Sequence, residues 1–111
     1  MKKTSIKSNY MEITITEQSG KLVVALCGDF DNTACLEAEK ALEPLFKRGD
    51  SDVVVECKQL NYIASSGLRL LLKLYKHQRN AGRRAILAHM NEDVREVFYL
   101  GGYLTFYEVE E

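Results

Sequence analysis

Hydrophobic residues near the start of the chain follow a two-residue period. Polar and apolar side chains alternate over residues 12–16, turn residues follow at 18–20, and residues 22–27 form an apolar run. Alternation of this kind is typical of a half-buried strand, and a short turn between two such segments joins antiparallel neighbours. The pattern therefore predicts an N-terminal β-hairpin that ends at Gly28.

The hydrophobic period changes to that of a helix after this hairpin. Asp31 and Asn32 are both suited to cap a helix, because their short side chains accept hydrogen bonds from free backbone N–H groups. The apolar residues that follow fall on one helical face: Ala34, Ala38, Ala41, Leu42 and Leu45. Residues 48–50 close this first predicted helix.

A second unit of strand and helix follows. The β-branched apolar run at residues 53–55 is typical of a central strand in a parallel sheet. After a connecting stretch at residues 58–64, a second helix is predicted to begin at Ser65 or Ser66 and to end at residues 81–82. Its buried face is predicted to carry Leu68, Leu71, Leu72 and Tyr75.

A third unit completes the pattern. Residues 83–88 predict a strand, Asn91 caps a short helix, and residues 103–109 alternate as a last strand. Right-handed crossovers between neighbouring parallel strands place the helices on one side of a sheet. The predicted fold class is therefore α/β, with an N-terminal β-hairpin that leads into a mostly parallel sheet and helices mainly on one face.

The length of the chain favours one domain. Its 111 residues are too few for two well-packed cores. The first patterned segment begins at Met11, so we expect residues 1–10 to be a flexible N-terminal extension and residues 11–111 to be a single domain. No signal peptide follows the basic start, and no apolar run approaches the roughly 20 residues of a membrane span. A cytoplasmic protein without membrane insertion is expected.

Composition argues against several classes of function. The 15 basic and 16 acidic residues leave a net charge of -1, which provides no positive field for direct nucleic-acid binding. Cys27, Cys35 and Cys57 lack the close pairing of a metal or redox motif, so reduced, largely buried thiols are expected. His77 and His89 have no second ligand at metal-binding spacing. We expect no metal, no cofactor and no catalytic residue, and a small enzyme is the least favoured reading.

The segment that carries chemistry is residues 61–68, where Ser65 and Ser66 precede Gly67 at the predicted start of the second helix. One interpretation is an ordinary serine N-cap, with a glycine for close packing. The other is a phosphorylation site, because a helix N-terminus stabilises added negative charge. Phosphorylation adds about -1.5 to -2 charges, enough to disrupt an apolar or acidic contact surface. In that case the segment is a switch.

This serine segment resembles the signature of the STAS domain family, the bacterial anti-sigma factor antagonists, in which Ser-Ser-Gly-Leu begins a helix after a central strand. Residues 28–31 with Ala34 resemble the family's Gly-x-Leu/Phe-Asp segment before the first helix. Residues 98–106 resemble a late family segment that has Phe at both ends and Gly between them. The similarity runs from about residue 12 to residue 109, with three motifs in the right order.

The resemblance implies a function and its residues. Ser65 would be the phosphoacceptor of a partner anti-sigma factor that has serine kinase activity. The unmodified chain would bind that kinase and free a sigma factor, phosphorylation would weaken the complex, and a phosphatase would reset it. The partner-binding residues would be Asp31, Ala64, Ser65, Ser66, Gly67 and Leu68.

Ala64 departs from the family pattern, which commonly has Asp before the serine pair. Without that carboxylate a second function stays open, namely a constitutive STAS subunit of a membrane transport complex or other signalling assembly that is not phosphorylated. Two roles also stay open for Asp31, as a helix cap and as a contact with the partner.

Overall fold

The computed structural model describes residues 3–7 and 11–111. Its strands and helices follow the chain as β1 (Lys3–Lys7), β2 (Met11–Gln18), β3 (Lys21–Phe30), α1 (Cys35–Phe46), β4 (Asp52–Glu56), β5 (Leu60–Ile63), α2 (Ser65–Asn80), β6 (Ala85–Ala88), α3 (Glu92–Leu100) and β7 (Glu108–Glu110). Single 3₁₀ turns lie at Asn32–Ala34 and Tyr103–Thr105. The strands form one sheet in the order β1-β2-β3-β4-β6-β7, with β5 paired to the end of β3.

The predicted hairpin is confirmed as β2 and β3, which pair antiparallel. Ser19 and Gly20 join them with φ angles of 51° and 79°. Positive φ at both central residues is the requirement of the tight turn that matches the twist of paired strands. β1 pairs antiparallel with β2 and lies inside the stretch 1–10 that was expected to be a flexible extension. Residues 1, 2 and 8–10 of that stretch lie outside the described residues.

The predicted fold class is also confirmed. β3, β4, β6 and β7 run parallel, and β4 is central, as its β-branched run predicts. All three helices pack on one face of the sheet. Their apolar residues share a single core with the inward residues of the strands, including Val24, Val55, Leu87, Leu42, Leu71 and Phe98. A smaller cluster on the other face contains Val54, Ile86 and Ala88.

The buried face of α2 differs from the predicted one. Its buried residues are Gly67, Leu70, Leu71, Leu74 and Gln78, whereas three of the four predicted ones are only partly buried: Leu68, Leu72 and Tyr75. Leucines occupy so many successive positions of this helix that their spacing alone does not define the centre of the apolar stripe. Gly67 lies so close to Phe30 and Ile63 that this position must face the sheet, which fixes the rotation of the helix.

The predicted last strand over residues 103–109 is wrong in its first part, because a 3₁₀ turn occupies Tyr103–Thr105. The hydroxyls of Tyr103 and Tyr107 donate to the carbonyl oxygens of Leu68 and Leu71 in α2, at 2.5 and 2.6 Å. An extended chain would separate these two tyrosines by about 13 Å, whereas the two carbonyls lie about one helical turn, roughly 5 Å, apart. The turn is therefore needed to satisfy both hydroxyls.

Candidate functional site

The parallel strands β3 and β5 bring two helix entrances together. Phe30 at the end of β3 pairs with Ile63 at the end of β5, and the N–H of Ala64 donates to the carbonyl oxygen of Phe30 at 2.8 Å. The chain therefore leaves both strands at the same edge, toward Asp31 on one and Ser65 on the other. The carboxyl ends of parallel strands are the usual place for a functional site in an α/β sheet.

β5 lies within residues 58–64, which the sequence pattern predicts to be a connection. Its four residues are buried only at the two ends, so polar and apolar positions do not alternate. The reason is an irregularity in the pairing, since Gly28 pairs with Leu60 whereas Asp29 pairs with Tyr62. One residue of β5 is thus skipped, which removes the two-residue period that identifies strands.

Asp31 caps the 3₁₀ turn that leads into α1. Its Oδ1 accepts hydrogen bonds from the Thr33 hydroxyl at 2.7 Å and from the Ala34 N–H at 3.0 Å. The bond from Thr33 lowers the pKa of the Asp31 carboxyl, with a further contribution from the N–H of Ala34. Of the two roles expected for Asp31, the structure shows the cap. The residue is only half-buried, which leaves it reachable from outside.

Asn32, the other expected cap, has a different contact. The hydroxyl of Ser66 donates to Asn32 Oδ1 at 2.6 Å, across 34 positions of sequence. A second contact joins the same two helix entrances, because the thiol of Cys35 lies 3.9 Å from the carbonyl oxygen of Ser66. No local pattern predicts the bond between Asn32 and Ser66, since it depends on the pairing of β3 with β5.

Ser65 is the first residue of α2, and its side chain is exposed. Within the part of the chain that the structure describes, its hydroxyl makes no hydrogen bond. The residue before it, Ala64, has the extended backbone of an N-cap but no side chain that accepts a hydrogen bond. The first N–H groups of α2 therefore lack the side-chain acceptor that usually satisfies them.

Gly67 is buried against the ends of the two strands. A Cβ atom at this position would lie 2.9 Å from both Ile63 Cγ1 and Phe30 Cδ1, closer than real Cβ contacts come. The glycine therefore allows the first turn of α2 to pack directly on the sheet. Leu68 is half-buried, and its carbonyl accepts the Tyr103 hydroxyl.

Two exposed apolar side chains adjoin residues of the two helix entrances in sequence, and the sequence patterns did not predict their exposure. Leu36 is 68% exposed and follows Cys35, while Tyr62 is 52% exposed and precedes Ile63. In the sequence, Leu36 is a leucine that lies off the apolar stripe of α1. Spacing alone does not show whether such a leucine takes part in binding.

The three thiols are at least half-buried, and both imidazoles have hydrogen-bond partners. Cys57 is fully buried, and burial raises its pKa from the ordinary 9.0 to about 12. Cys27 and Cys35 are half-buried free thiols. His77 Nε2 lies 2.5 Å from the carbonyl oxygen of Arg48, and His89 Nδ1 lies 2.8 Å from a Glu56 carboxylate oxygen.

Across residues 3–7 and 11–111, side chains of His, Cys, Asp and Glu do not gather into a group of three or more that could hold a metal ion. Over the same residues, no helix has both the length and the apolar character needed to cross a membrane.

The geometry described so far is that of a STAS domain. The model of the STAS domain family matches residues 12–111, and the chain belongs to this family. BtrV of Bordetella bronchiseptica, a candidate anti-sigma factor antagonist, is 30% identical over 99 residues, which are 89% of this chain and 85% of BtrV. The resemblance stated from the sequence is thereby confirmed.

Solved structures of the same family share the fold. An anti-sigma factor antagonist from Mycobacterium paratuberculosis superposes with a TM-score of 0.83 at 15% identity, covering 95% of this chain and 90% of that one. The antagonist SpoIIAA in its unphosphorylated form gives a TM-score of 0.75 at 20% identity, covering 87% and 86%. The phosphorylated form of Bacillus SpoIIAA gives 0.68 at 19% identity, covering 87% and 89%.

Proposed function

We propose that this chain is an anti-sigma factor antagonist controlled by phosphorylation. In the unmodified state it binds an anti-sigma factor that has serine kinase activity. The anti-sigma factor then releases the sigma factor that it held. Phosphorylation of Ser65 by that kinase weakens the complex, and a phosphatase restores the binding form. Membership of the STAS family, the similarity to BtrV and the existence of SpoIIAA in two phosphorylation forms support this proposal.

The observation that carries the proposal is the state of Ser65. Its hydroxyl is exposed at the first position of α2 and makes no hydrogen bond within the described residues. A kinase must reach the serine oxygen and remove its proton, so an exposed hydroxyl without a partner is the accessible acceptor. The neighbouring Ser66 hydroxyl is already bonded to Asn32.

The surroundings of Ser65 suit a phosphoryl group. The first N–H groups of α2 have no side-chain acceptor, and the helix dipole places partial positive charge there. Arg69 lies four positions later on the same helix and is exposed, which is the spacing at which a basic side chain meets an acidic one. Added negative charge is therefore tolerated by the folded chain, and its effect falls on the partner.

The proposed docking surface surrounds the serine pair. In this surface Leu36 and Tyr62 supply exposed apolar area, and the half-buried Asp31 and Leu68 complete it. Covering a phosphate of about -1.5 to -2 charges with apolar surface requires its desolvation, which opposes binding. Ala64 and Gly67 are buried, so in this proposal they set the backbone position of the serines.

In this proposal the chain is a substrate and a binding protein and has no catalytic role of its own. Kinase, sigma factor and phosphatase act in transcription control, so we place the chain in the cytoplasm. It contacts neither nucleic acid nor a membrane directly, and it needs no cofactor.

The test combines modification with binding. The chain is incubated with a panel of purified anti-sigma factor serine kinases and Mg²⁺-ATP, and its intact mass is measured. We expect one phosphate to be added rapidly to the wild type and only slowly to Ser65→Ala. Affinity for the same kinase, measured by calorimetry, should fall at least tenfold on phosphorylation. A chain that binds but never accepts phosphate, or one modified equally after Ser65→Ala, contradicts the proposal.

A second function is supported by Ala64, where the family commonly has Asp. Without this carboxylate beside the serine pair, a constitutive STAS subunit of a transport or other signalling assembly is the alternative. Capture of the native chain with mass spectrometry of the bait distinguishes the two. A transporter component with unmodified Ser65 supports the alternative, and a sigma-regulating kinase with phosphorylated Ser65 supports the antagonist.

A further inference from the structure

The two adjacent serine hydroxyls are not equivalent in the folded chain. Ser66 Oγ donates to Asn32 Oδ1 at 2.6 Å, and the Ser66 residue is half-buried. Ser65 is exposed and has no side-chain hydrogen bond among the described residues. In the sequence the two side chains are identical. In the fold they differ, because only Ser66 is hydrogen-bonded to Asn32.

We propose that Asn32 is a positioning residue that directs phosphoryl transfer to Ser65 by holding the hydroxyl of Ser66. This inference rests on the proposed function, since it concerns which of the two serines the kinase modifies. Asn32 acts through Ser66 and does not touch the reacting atoms at Ser65.

The chemistry of the transfer explains the effect. The serine oxygen attacks the γ-phosphorus of ATP, the bond from that phosphorus to ADP breaks, and the hydroxyl proton passes to a base of the kinase. In Ser66 that proton lies in a hydrogen bond to an amide oxygen, which is too weak a base to accept it. The bond must break before Ser66 reacts, and a typical net hydrogen bond corresponds to about a 2- to 10-fold change in rate.

Asn32 is held firmly enough to act in this way. It begins the 3₁₀ turn that the Asp31 carboxylate caps, and the two residues after it, Thr33 and Ala34, both donate hydrogen bonds to Asp31 Oδ1. The thiol of Cys35 at 3.9 Å from the Ser66 carbonyl oxygen joins the same two segments a second time. These contacts hold the turn that carries Asn32 next to the start of α2 in the unmodified chain.

The experiment measures which serine carries the phosphate. Wild type, Asn32→Ala and the control Asn80→Ala are incubated with a purified anti-sigma factor serine kinase and Mg²⁺-ATP. Asn80 is an exposed asparagine at the far end of α2, so its variant matches the substitution without touching either serine. Tandem mass spectrometry then gives the ratio of phosphoserine 66 to phosphoserine 65. We expect this ratio to rise about 2- to 10-fold in Asn32→Ala only.

Two further backgrounds separate a positioning role from a merely structural one. Ser65→Ala should accept phosphate slowly, and Ser65→Ala combined with Asn32→Ala should accept it on Ser66 about 2- to 10-fold faster. In a Ser66→Ala background, removal of Asn32 should leave the rate at Ser65 unchanged, because the hydroxyl that it holds is absent. Urea unfolding of each variant confirms that the compared chains are folded.

The outcomes for this inference and for the proposed function differ. A wild type phosphorylated on Ser65 whose ratio is unchanged by Asn32→Ala overturns the inference alone. A wild type phosphorylated mainly on Ser66 contradicts both the inference and the proposed acceptor. A wild type that takes no phosphate from any kinase of the panel overturns the proposed function and, with it, the inference.

Discussion

The hydroxyl of Tyr103 donates a hydrogen bond of 2.5 Å to the backbone carbonyl oxygen of Leu68, in the first turn of α2. This bond joins the segment after α3 to the helix whose first residue is Ser65. Tyr103 is only 7% exposed, and burial raises the pKa of its hydroxyl. The position of the serine pair therefore depends on contacts from three directions: β3, α1 and the turn at Tyr103.

Replacing Tyr103 with Phe removes this hydroxyl and keeps the ring. We expect the free energy of unfolding to fall by about 1 kcal/mol, the usual net contribution of a hydrogen bond. Urea unfolding measures it. The matched control is Tyr99→Phe, because Tyr99 is 68% exposed, and its change should stay within about 0.5 kcal/mol. Equal decreases in the free energy of unfolding of the two variants would show that the bond to Leu68 does not stabilise the fold.

Gly67→Ala tests the close packing of α2 on the sheet. Alanine in place of glycine stabilises an open helix by about 1 kcal/mol. At this site the new Cβ would lie 2.9 Å from Phe30 and Ile63, and overpacking of a core costs about 1–3 kcal/mol. We expect a net loss of stability in guanidinium unfolding. Arg69→Ala, an exposed position of the same helix, is the control, and a stabilised Gly67→Ala would contradict the packing argument.

Ala64→Asp restores the side chain that the family commonly has before the serine pair. The extended backbone of Ala64 is suited to an N-cap, so we expect a carboxylate there to bond the free N–H groups of α2 and to add about 1 kcal/mol. Because those bonds favour the ionised form, the gain should be present above the ordinary pKa of about 3.9 and be lost as the pH falls through the lowered one.

Ala64→Asn is the matched control for this cap, since the amide accepts the same hydrogen bonds without the charge. Thermal unfolding at pH 7 and pH 3 should show a pH-dependent gain for Asp and a pH-independent one for Asn. Ala64 is 7% exposed, so the carboxylate must lose water to reach its partners. Loss of stability in Ala64→Asp at pH 7 would mean that this desolvation exceeds the cap.

Cys57 provides a test of the core at alkaline pH. Burial raises the pKa of its thiol to about 12, and nearby Glu56 adds to the shift. A folded-state pKa above the ordinary 9.0 means that the contribution of this thiol to stability is present below pH 9 and is lost as the pH rises toward 12. Unfolding midpoints should therefore fall over this range, and they should fall less in Cys57→Ala.

The same burial predicts slow alkylation. At pH 8 iodoacetamide should modify the half-buried Cys27 and Cys35 before Cys57, which should react only at the rate of unfolding. Peptide mass spectrometry over time measures the three rates. Modification of Cys57 in step with the other two would show that the centre of the sheet opens readily.

Several elements followed from short-range chemistry. The hairpin of β2 and β3, the apolar face of α1 and the start of α2 at Ser65 all agree with the patterns that predicted them. Asn91 caps α3 as expected, with its Oδ1 accepting the Val94 N–H at 2.8 Å. Periodicity and caps depend on residues within a few positions of one another, so the sequence expresses them directly.

Other elements depended on distant partners. β5 exists because Gly28–Phe30 of β3 offers an unpaired edge beyond β4, and its skipped residue hides the strand period. The turn at Tyr103 exists because two tyrosine hydroxyls must reach neighbouring carbonyls of α2. Neither cause is visible in the segment that it shapes, which is why the sequence pattern predicts neither segment correctly.

The candidate site divides in the same way. The residue types around Ser65 and the helix that begins there could be read from the chain alone, because a serine pair before a glycine is a local signal. The sequence does not show which of the two hydroxyls is free and which is hydrogen-bonded. Asn32 and Ser66 lie 34 positions apart and meet only through the pairing of β3 with β5. Local chemistry placed both serines at a helix entrance, and the packing of two strand ends made them different.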